Sequence, residues 1–292
     1  MNAVQRRTSP MLLRRRLGEE LRRHREARGQ KAGDVAKDLG INPSVLSRLE
    51  NGQRRPVLLY VTALCDYYGL DHDTADALRR IAQGAHADGW WEQWNLDEEP
   101  TEFVGFEAGA KAVLTYEPGL VPGLLQTAEY ARRIALSLKF GVTEEQIRRK
   151  VEFRINRQRI LRGDDPLRLH AILHEAVLRV DFNDPGMRRR QLEYLLECSA
   201  LPNVTLQVLR FNADSAVGLL GSFAVLEFAD DLAKDVVQVE TVLGSKFERK
   251  ESEVDRCKDL FSEIESAADG EDASLAFIEA LLRDSAEQRN VV

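Results

Sequence analysis

The sequence predicts two folded units: a mainly α-helical N-terminal unit of five helices, followed by a larger α+β unit of mixed α/β character. The chain of 292 residues is longer than one typical domain. Residues 14–83 show helical periodicity with caps and breaks, whereas residues 90–290 combine short apolar runs with amphipathic stretches. We therefore place a flexible arm at 1–13 and a linker at 84–89.

Five helices are predicted in the N-terminal unit from their apolar spacing and their end signals. Gly29 and Gly40 follow the first two helices as C-terminal caps, and Asn42 and Pro43 begin the third as its cap and first helical residue. The predicted helices cover about residues 14–28, 31–39, 42–50, 56–68 and 73–82.

In the larger unit, short apolar or alternating runs predict strands and longer amphipathic stretches predict helices. Strands are expected at residues 167–173, 204–209, 223–228 and 236–242. Helices are expected at residues 110–138 (with a break at YEPGLVPGLL), 144–161, and about 185–200, 248–268 and 273–289.

The charge of the chain is divided unevenly along its length. Residues 1–60 contain 14 Lys and Arg against 6 Asp and Glu, whereas the remaining residues contain 27 against 42. A basic end can meet the phosphates of a nucleic acid even though the whole chain carries a formal charge of −7. Arginine-rich ends also occur as solvated helix surface, so charge alone leaves both interpretations open.

Neither a membrane role nor secretion is expected. No apolar run approaches the roughly 20 residues that span a bilayer. No apolar stretch follows the N-terminal arginines, as a secretory signal would require. We therefore expect a cytoplasmic protein without a membrane partner.

The sequence offers little support for an enzyme or a metal site. Its three cysteines lie far apart and match no paired metal-binding spacing. His174 and Glu175 begin the HExxH pattern of zinc peptidases, but Leu178 occupies the position of the second histidine. Neither catalytic residues, nor a metal, nor another cofactor is therefore expected.

The strongest motif is AGDVAKDLGINPSVLSRLENG at residues 32–52, whose spacing is typical of a helix-turn-helix. Ala36 supplies a small side chain where the two helices cross, and Gly40 supplies the turn four residues later. Val35, Leu46 and Leu49 are spaced to point inward and to hold the helix pair together.

The outward face of the third helix carries Ser44, Ser47 and Arg48, at positions i, i+3 and i+4. Arginine can form a bidentate pair with guanine, and serine can pair with several base edges or with a phosphate. These three residues are therefore the predicted base contacts, with the helix over 42–50 in the major groove of double-stranded DNA. The amide groups at its N-terminus, from Asn42 onward, are predicted to face phosphate.

At these residues the chain resembles the phage-repressor and Cro class of helix-turn-helix regulators, the XRE family. The resemblance implies a structural salt bridge between Arg25 and Glu50 and phosphate contacts from Asn51, Arg54 and Arg55. The family often has Gln or Ser at the start of the second helix, where this chain has Ala32. We expect Lys31, or else Arg28, to make the phosphate contact instead.

The larger unit resembles a companion domain found behind XRE-type motifs in actinobacterial regulators. The resemblance covers roughly residues 90–285 and rests on these stretches, in order: YEPGLVPGLLQTAEYARR, RINRQRILR, LHEAVLR, QLEYLLE, NVTLQVL and GSFAVLEF. It implies a regulatory or antitoxin-like role, with a small protein encoded nearby as a possible partner. Where that family more usually has an aromatic residue, this chain has Gln238.

The stretch YEPGLVPGLLQTAEYAR leaves two interpretations open. Its apolar side chains are of the kind that fill a core. Alternatively, Tyr116, Leu120 and Tyr130 wall a groove for a ligand or a peptide.

Taken together, the residues and the two resemblances predict a DNA-binding transcription regulator. One such motif covers only half of a two-fold operator, which favours a homodimer. The larger unit is expected to support dimerisation and to sense a ligand or a partner. The alternative is an antitoxin-like module that sequesters a small partner and uses DNA binding for autoregulation.

Overall fold

The structure is a computed structural model that describes residues 9–94, 101–137, 143–214, 218, 221–229, 232–241 and 244–287. These residues form twelve α-helices and six β-strands in two compact units. The first unit falls within Arg6–Gly109 and Phe228–Ala233, and the second within Ala110–Glu227 and Lys234–Val292. The predicted fold class, five helices followed by a mixed α/β unit, is confirmed.

The first unit contains the five predicted helices and one more. Pro10 lies at the first helical position of α1, so the helix begins four residues before its predicted start at Arg14. Of the predicted arm, residues 1–8 lie outside the described part of the chain. The helices are α1 (Pro10–Glu26), α2 (Ala32–Asp38), α3 (Pro43–Glu50), α4 (Leu58–Tyr67), α5 (His72–His86) and α6 (Thr101–Glu107).

One continuous apolar core holds α1 to α5 together. Its fully buried members come from every one of these helices, as the spacing of apolar residues requires. They include Leu17, Leu21, Val35, Ala36, Leu46, Leu49, Val61, Leu64, Leu78 and Ala82.

The boundary between the units differs from the predicted linker at 84–89. Helix α5 continues to His86, and the residues up to Gly109 belong with the first unit. These residues contact α1: Arg15 lies over the buried ring of Phe106, and Glu92 and Glu102 form ion pairs with Arg14 and Arg15. Such pairs carry no signal in the local sequence.

The second unit is built on a six-stranded mixed sheet in the order β3-β2-β1-β4-β5-β6. β1, β2 and β3 are parallel to one another, and β4, β5 and β6 continue the sheet with antiparallel pairs. The strands are β1 (Ala112–Glu117), β2 (Arg168–His174), β3 (Val204–Leu209), β4 (Phe223–Glu227), β5 (Val236–Thr241) and β6 (Gly244–Glu248).

Six helices accompany this sheet. Phe261 and Ile264 of α11 pack with Tyr116, Ile172 and other side chains of the sheet in one buried cluster. The helices are α7 (Ala128–Ser137), α8 (Glu144–Arg157), α9 (Glu175–Arg179), α10 (Pro185–Ser199), α11 (Glu251–Ala267) and α12 (Glu271–Glu287).

Two strands correct the sequence prediction. The helix predicted from residue 110 is wrong over residues 112–115, because Ala112–Glu117 is a sheet strand that pairs with β2 on one side and β4 on the other and that continues into the predicted break. Strand β6 was not predicted, since its short polar run resembles a loop. In the described residues, no helix combines the length and the apolarity needed to cross a bilayer.

Candidate nucleic-acid interface

The helix-turn-helix is formed by α2 and α3, and the predicted turn residues shape it. Gly40 has a φ of +63°, a left-handed conformation that favours glycine. The side chain of Asn42 accepts a hydrogen bond from the amide of Ser44 at 2.9 Å and so caps α3. The predicted inward residues Val35, Leu46 and Leu49 are all buried.

The opposite face of α3 is open to solvent. Ser44, Ser47 and Arg48 are all exposed there. The Nε of Arg48 donates to the carbonyl oxygen of Ser44 at 3.1 Å, so the guanidinium group lies along its own helix. The hydroxyl of Ser44 donates to Oδ1 of Asn42 at 2.8 Å. These local, exposed bonds can be exchanged for contacts with a base edge.

Helix α3 is fixed to α1 by a bidentate ion pair. Arg25 Nε lies 2.7 Å from Oε1 of Glu50, and its Nη2 lies 2.9 Å from Oε2. The side chains are only 11% and 3% exposed. The hydrogen bond with Glu50 raises the pKa of Arg25 above its ordinary value. This is the ion pair that the family resemblance implies, and it lies on the buried side of α3.

Close backbone packing reinforces this attachment. A Cβ atom built on Gly18 of α1 would lie 2.5 Å from the carbonyl oxygen of Glu50 and 2.6 Å from that of Leu49. No side chain fits at that separation, so α1 approaches the end of α3 as closely as glycine allows.

Five residues are predicted to contact phosphate, and they differ in exposure and in their hydrogen bonds. Lys31 is exposed at the residue before α2. Asn51 accepts a hydrogen bond from Arg22 and is itself exposed. Arg54 is partly buried. Asn42, the fourth, uses its side chain to cap α3.

Arg55, the fifth, is held by two carboxylates. Its Nη2 lies 2.7 Å from Oε2 of Glu92 and also contacts Asp88. We call Asp88 and Glu92 the acidic clasp. Glu92 is the better anchored of the two, because its Oε1 also accepts from the amide of Gly89 at 3.2 Å and from Arg14 at 3.3 Å. Partial burial opposes its ionisation, but the Gly89 amide and the two guanidinium groups outweigh it and lower the pKa of Glu92.

The acidic clasp was missed by the sequence reasoning. Glu92 lies 37 residues after Arg55, beyond α4 and α5, and no spacing rule connects the two. The one available signal was composition, because residues 88–107 contain seven Asp and Glu and no Lys or Arg.

The groove predicted in the second unit is not formed as expected. Tyr116 and Tyr130 are buried in the core, so neither ring walls an open groove, although Leu120 is partly exposed. Both hydroxyl groups are used internally: that of Tyr116 donates to the carbonyl of Gly218, and that of Tyr130 accepts from the amide of Val121. Of the two interpretations, the core is the one that the burial of the tyrosines supports.

Glu175, the glutamate of the incomplete HExxH pattern, forms ion pairs and a backbone hydrogen bond within the second unit. It is buried at the end of β2, where it pairs with Arg179 and Arg210 and accepts from the amide of Phe211. In the residues described, no group of three or more His, Cys, Asp or Glu side chains is close enough to hold a metal ion. Burial raises the pKa of the thiols of Cys65, Cys198 and Cys257.

The fold and the exposed face of α3 define a helix-turn-helix protein of the kind that binds DNA. Residues 16–78 match the family described as a helix-turn-helix domain. Residues 100–280, more than half of the chain, match the family described as "Domain of unknown function (DUF5753)", and the chain belongs to that family. Searches of curated proteins and of solved structures returned no match.

Proposed function

We propose that the chain is a sequence-specific transcription regulator that reads the major groove of double-stranded DNA with α3. The observation that carries this proposal is the exposed face of Ser44, Ser47 and Arg48 on a helix whose other side is buried. A rigid scaffold under a polar, cationic helix face is what direct reading of base edges requires.

In this proposal, the exposed face of α3 contacts DNA and its buried side holds the helix in position. Arg48 gives up its bond to the Ser44 carbonyl and pairs with a guanine, while the serines contact a neighbouring base or phosphate. Lys31, Asn51 and Arg54 contact the phosphate backbone and set the register. The Arg25–Glu50 pair keeps the angle between α1 and α3 constant.

We further propose that the protein acts as a homodimer and that the second unit supports dimerisation and senses a ligand or a partner. One helix-turn-helix reads about half a turn of duplex, and two copies give the affinity that a single operator needs.

The test is selection of bound duplexes from a random pool, with the full chain and with Arg48→Ala. The wild-type protein should enrich a two-fold related sequence. Arg48→Ala should weaken binding to it by about 1–3 kcal/mol and relax the preference at one base pair of each half-site. Arg80→Ala, an exposed arginine on α5, is the matched control and should keep the same preference. An unchanged base preference in Arg48→Ala would remove that residue from base reading.

A second candidate is an antitoxin-like module that sequesters a small basic protein, and one surface favours it. Four exposed carboxylates recur every four residues along α11, which places them on one face of the helix. They are Glu251, Asp255, Asp259 and Glu263. A stripe of this sign complements a basic partner and repels DNA.

This candidate is tested with a small basic protein encoded beside the gene, titrated into the full chain by calorimetry. Asp255→Lys with Asp259→Lys should abolish its binding while leaving DNA selection unchanged. Glu271→Lys with Asp272→Lys, on α12, is the matched control and should bind it normally. Equal binding by both double variants would exclude the α11 stripe.

A further inference from the structure

Arg22 lies on the side of α1 that faces the end of α3. It follows Gly18 by four residues and precedes Arg25 by three, so these residues share one side of the helix. The Nε of Arg22 lies 3.8 Å from Oε2 of Glu50, and its Nη2 donates to the carbonyl oxygen of Glu50 at 3.5 Å. The same Nη2 donates to Oδ1 of Asn51. The guanidinium group is therefore engaged with the last residues of α3, although its side chain is 40% exposed.

Asn51 extends the exposed face of α3. It follows Ser44 by seven residues and Ser47 by four, which places it on the same side of the helix. Its Nδ2 donates to Oγ of Ser47 at 3.5 Å. The side-chain amide of Asn51 thus lies between Arg22 of α1 and one of the proposed base contacts.

The chemistry of these groups fixes the orientation of the amide. A guanidinium group only donates hydrogen bonds, and in an asparagine side chain only Oδ1 accepts them. Because Arg22 holds Oδ1, the NH2 group of Asn51 is the end that faces Ser47. This group carries two hydrogens, and one of them remains for an acceptor outside the protein. A DNA phosphate oxygen accepts hydrogen bonds, so Asn51 can bind it through Nδ2 but not through Oδ1.

We propose that Arg22 is a positioning residue, which holds the amide of Asn51 in the orientation that can donate to a DNA phosphate. This inference rests on the proposed function, in which Asn51 contacts the phosphate backbone, and names the residue that prepares this contact. Ser47 is prepared in the same way. Because its Oγ accepts from Asn51, its own hydroxyl proton remains available for an acceptor on a base edge.

The competing explanation is that Arg22 binds a phosphate itself. A double-mutant cycle separates the two. If Arg22 acts through Asn51, its removal has no further effect once Asn51 is replaced by alanine. If Arg22 binds phosphate directly, its removal costs the same in both backgrounds and lowers the slope of log K against log salt by about one unit.

The experiment measures the affinity of the full chain for the selected duplex at several salt concentrations. Arg22→Met and Asn51→Ala should each weaken binding by roughly tenfold, and the double variant should bind no more weakly than Asn51→Ala. Arg22→Lys keeps a cation that only donates and should bind close to the wild type. Arg23→Met is the matched control, because it removes the same charge from an exposed residue of α1 that pairs with Glu20. Its effect should be additive with that of Asn51→Ala.

A second measurement reads the orientation without DNA. Asparagine labelled with ¹⁵N gives side-chain amide signals in nuclear magnetic resonance spectra of the full chain, and Asn51→Ala identifies the signal of Asn51 by its loss. The Asn51 amide should be ordered in the wild type and in Arg22→Lys, and it should become mobile in Arg22→Met. Arg23→Met should leave it ordered.

The outcomes separate this inference from the proposed function. Additive effects of Arg22→Met and Asn51→Ala on DNA affinity overturn the inference and leave the proposed function intact. An Asn51 amide that stays ordered in Arg22→Met overturns it as well. A wild-type chain that selects no DNA sequence overturns the proposed function, whereas loss of amide order in Arg22→Met still supports the orientation by Arg22. Thermal unfolding of each variant confirms that it is folded.

Discussion

Glu50 attaches α3 to α1 through a buried side chain. It is 3% exposed, and Arg25 covers it with a bidentate pair while Arg22 lies 3.8 Å away. A buried carboxylate without its partner is costly, because desolvation is no longer offset by the attraction of the opposite charge.

This gives a prediction for stability. Arg25→Met should lower the free energy of unfolding by about 3 kcal/mol, because it leaves Glu50 buried and almost unpaired. The double variant Arg25→Met/Glu50→Leu should cost clearly less, since neither charge then remains. Urea unfolding of the four members of the cycle measures the coupling. The exposed pair Arg23 and Glu20 is the control and should show coupling of about 0.5 kcal/mol or less; equal coupling in the two cycles would contradict the argument.

At Arg55, the structure adds a competitor to the expected phosphate contact. The acidic clasp already pairs with the guanidinium group and adds negative charge beside it. A phosphate contact by Arg55, as the sequence predicts, therefore requires displacement of Glu92.

We predict that Glu92→Gln increases the affinity for a random duplex and makes the slope of log K against log salt steeper by about one unit. The reason is that Arg55 loses the better anchored of its two carboxylate partners and can then exchange the remaining contact, with Asp88, for a phosphate. Glu102→Gln, which removes a partner of Arg15 in the same unit, should leave the slope unchanged. If Glu92→Gln has the slope of the wild type, Arg55 does not reach phosphate.

At the level of helices and strands, the contact of α1 with α3 leaves no room for a methyl group at Gly18. Gly18→Ala should lower the free energy of unfolding by about 1–3 kcal/mol, because the new methyl group meets the backbone carbonyls of Leu49 and Glu50. It should also weaken DNA binding by moving α3.

Gly33→Ala on α2 is the matched control, since a Cβ there has nothing within 4 Å. It should be neutral or slightly stabilising, as alanine favours a helix more than glycine does. Chemical denaturation and duplex affinity check both variants. Equal stability of the two would show that α1 shifts to accommodate the methyl group at little cost.

Most elements were predictable because their signals are local. The cap at Asn42, the turn at Gly40 and the inward spacing of Val35, Leu46 and Leu49 place α2 and α3 without reference to distant residues. Strand β3 matches its predicted bounds for the same reason, since an apolar run flanked by polar residues defines it.

Two errors had local signals that the prediction did not use. β1 contains Val113, Thr115 and Tyr116, which favour a strand, and β2 and β4 pair with it on either side. The start of α1 is marked by Pro10 at the first helical position. The acidic clasp, in contrast, depends on residues far along the chain. In the candidate site, the face of α3 and the Arg25–Glu50 pair followed from spacing and family resemblance, whereas the engagement of Arg55 did not.

At the scale of the whole molecule, the charge of the chain does not divide between the two units as the sequence suggests. Residues 1–60 are basic, but the charged residues among 88–107 are all acidic, and they belong with the first unit. Residues 1–109 therefore contain 16 Lys and Arg against 17 Asp and Glu. The remaining residues contain 25 against 31. The excess of basic residues is thus confined to residues 1–60 and does not extend to the first unit as a whole.

The last prediction concerns the division of labour between the units. A fragment of residues 1–109 should bind a random duplex at least as tightly per chain as the full protein, because it lacks the acidic second unit. Its affinity for the selected sequence should be lower, and its mass that of a monomer, because the second unit, to which the proposed function assigns dimerisation, is missing. Both affinities are measured at one salt concentration, after circular dichroism has shown that the fragment is folded. A fragment that is dimeric and keeps the full preference for the selected sequence would place dimerisation in the helical unit, and the second unit would then act in sensing or partner binding alone.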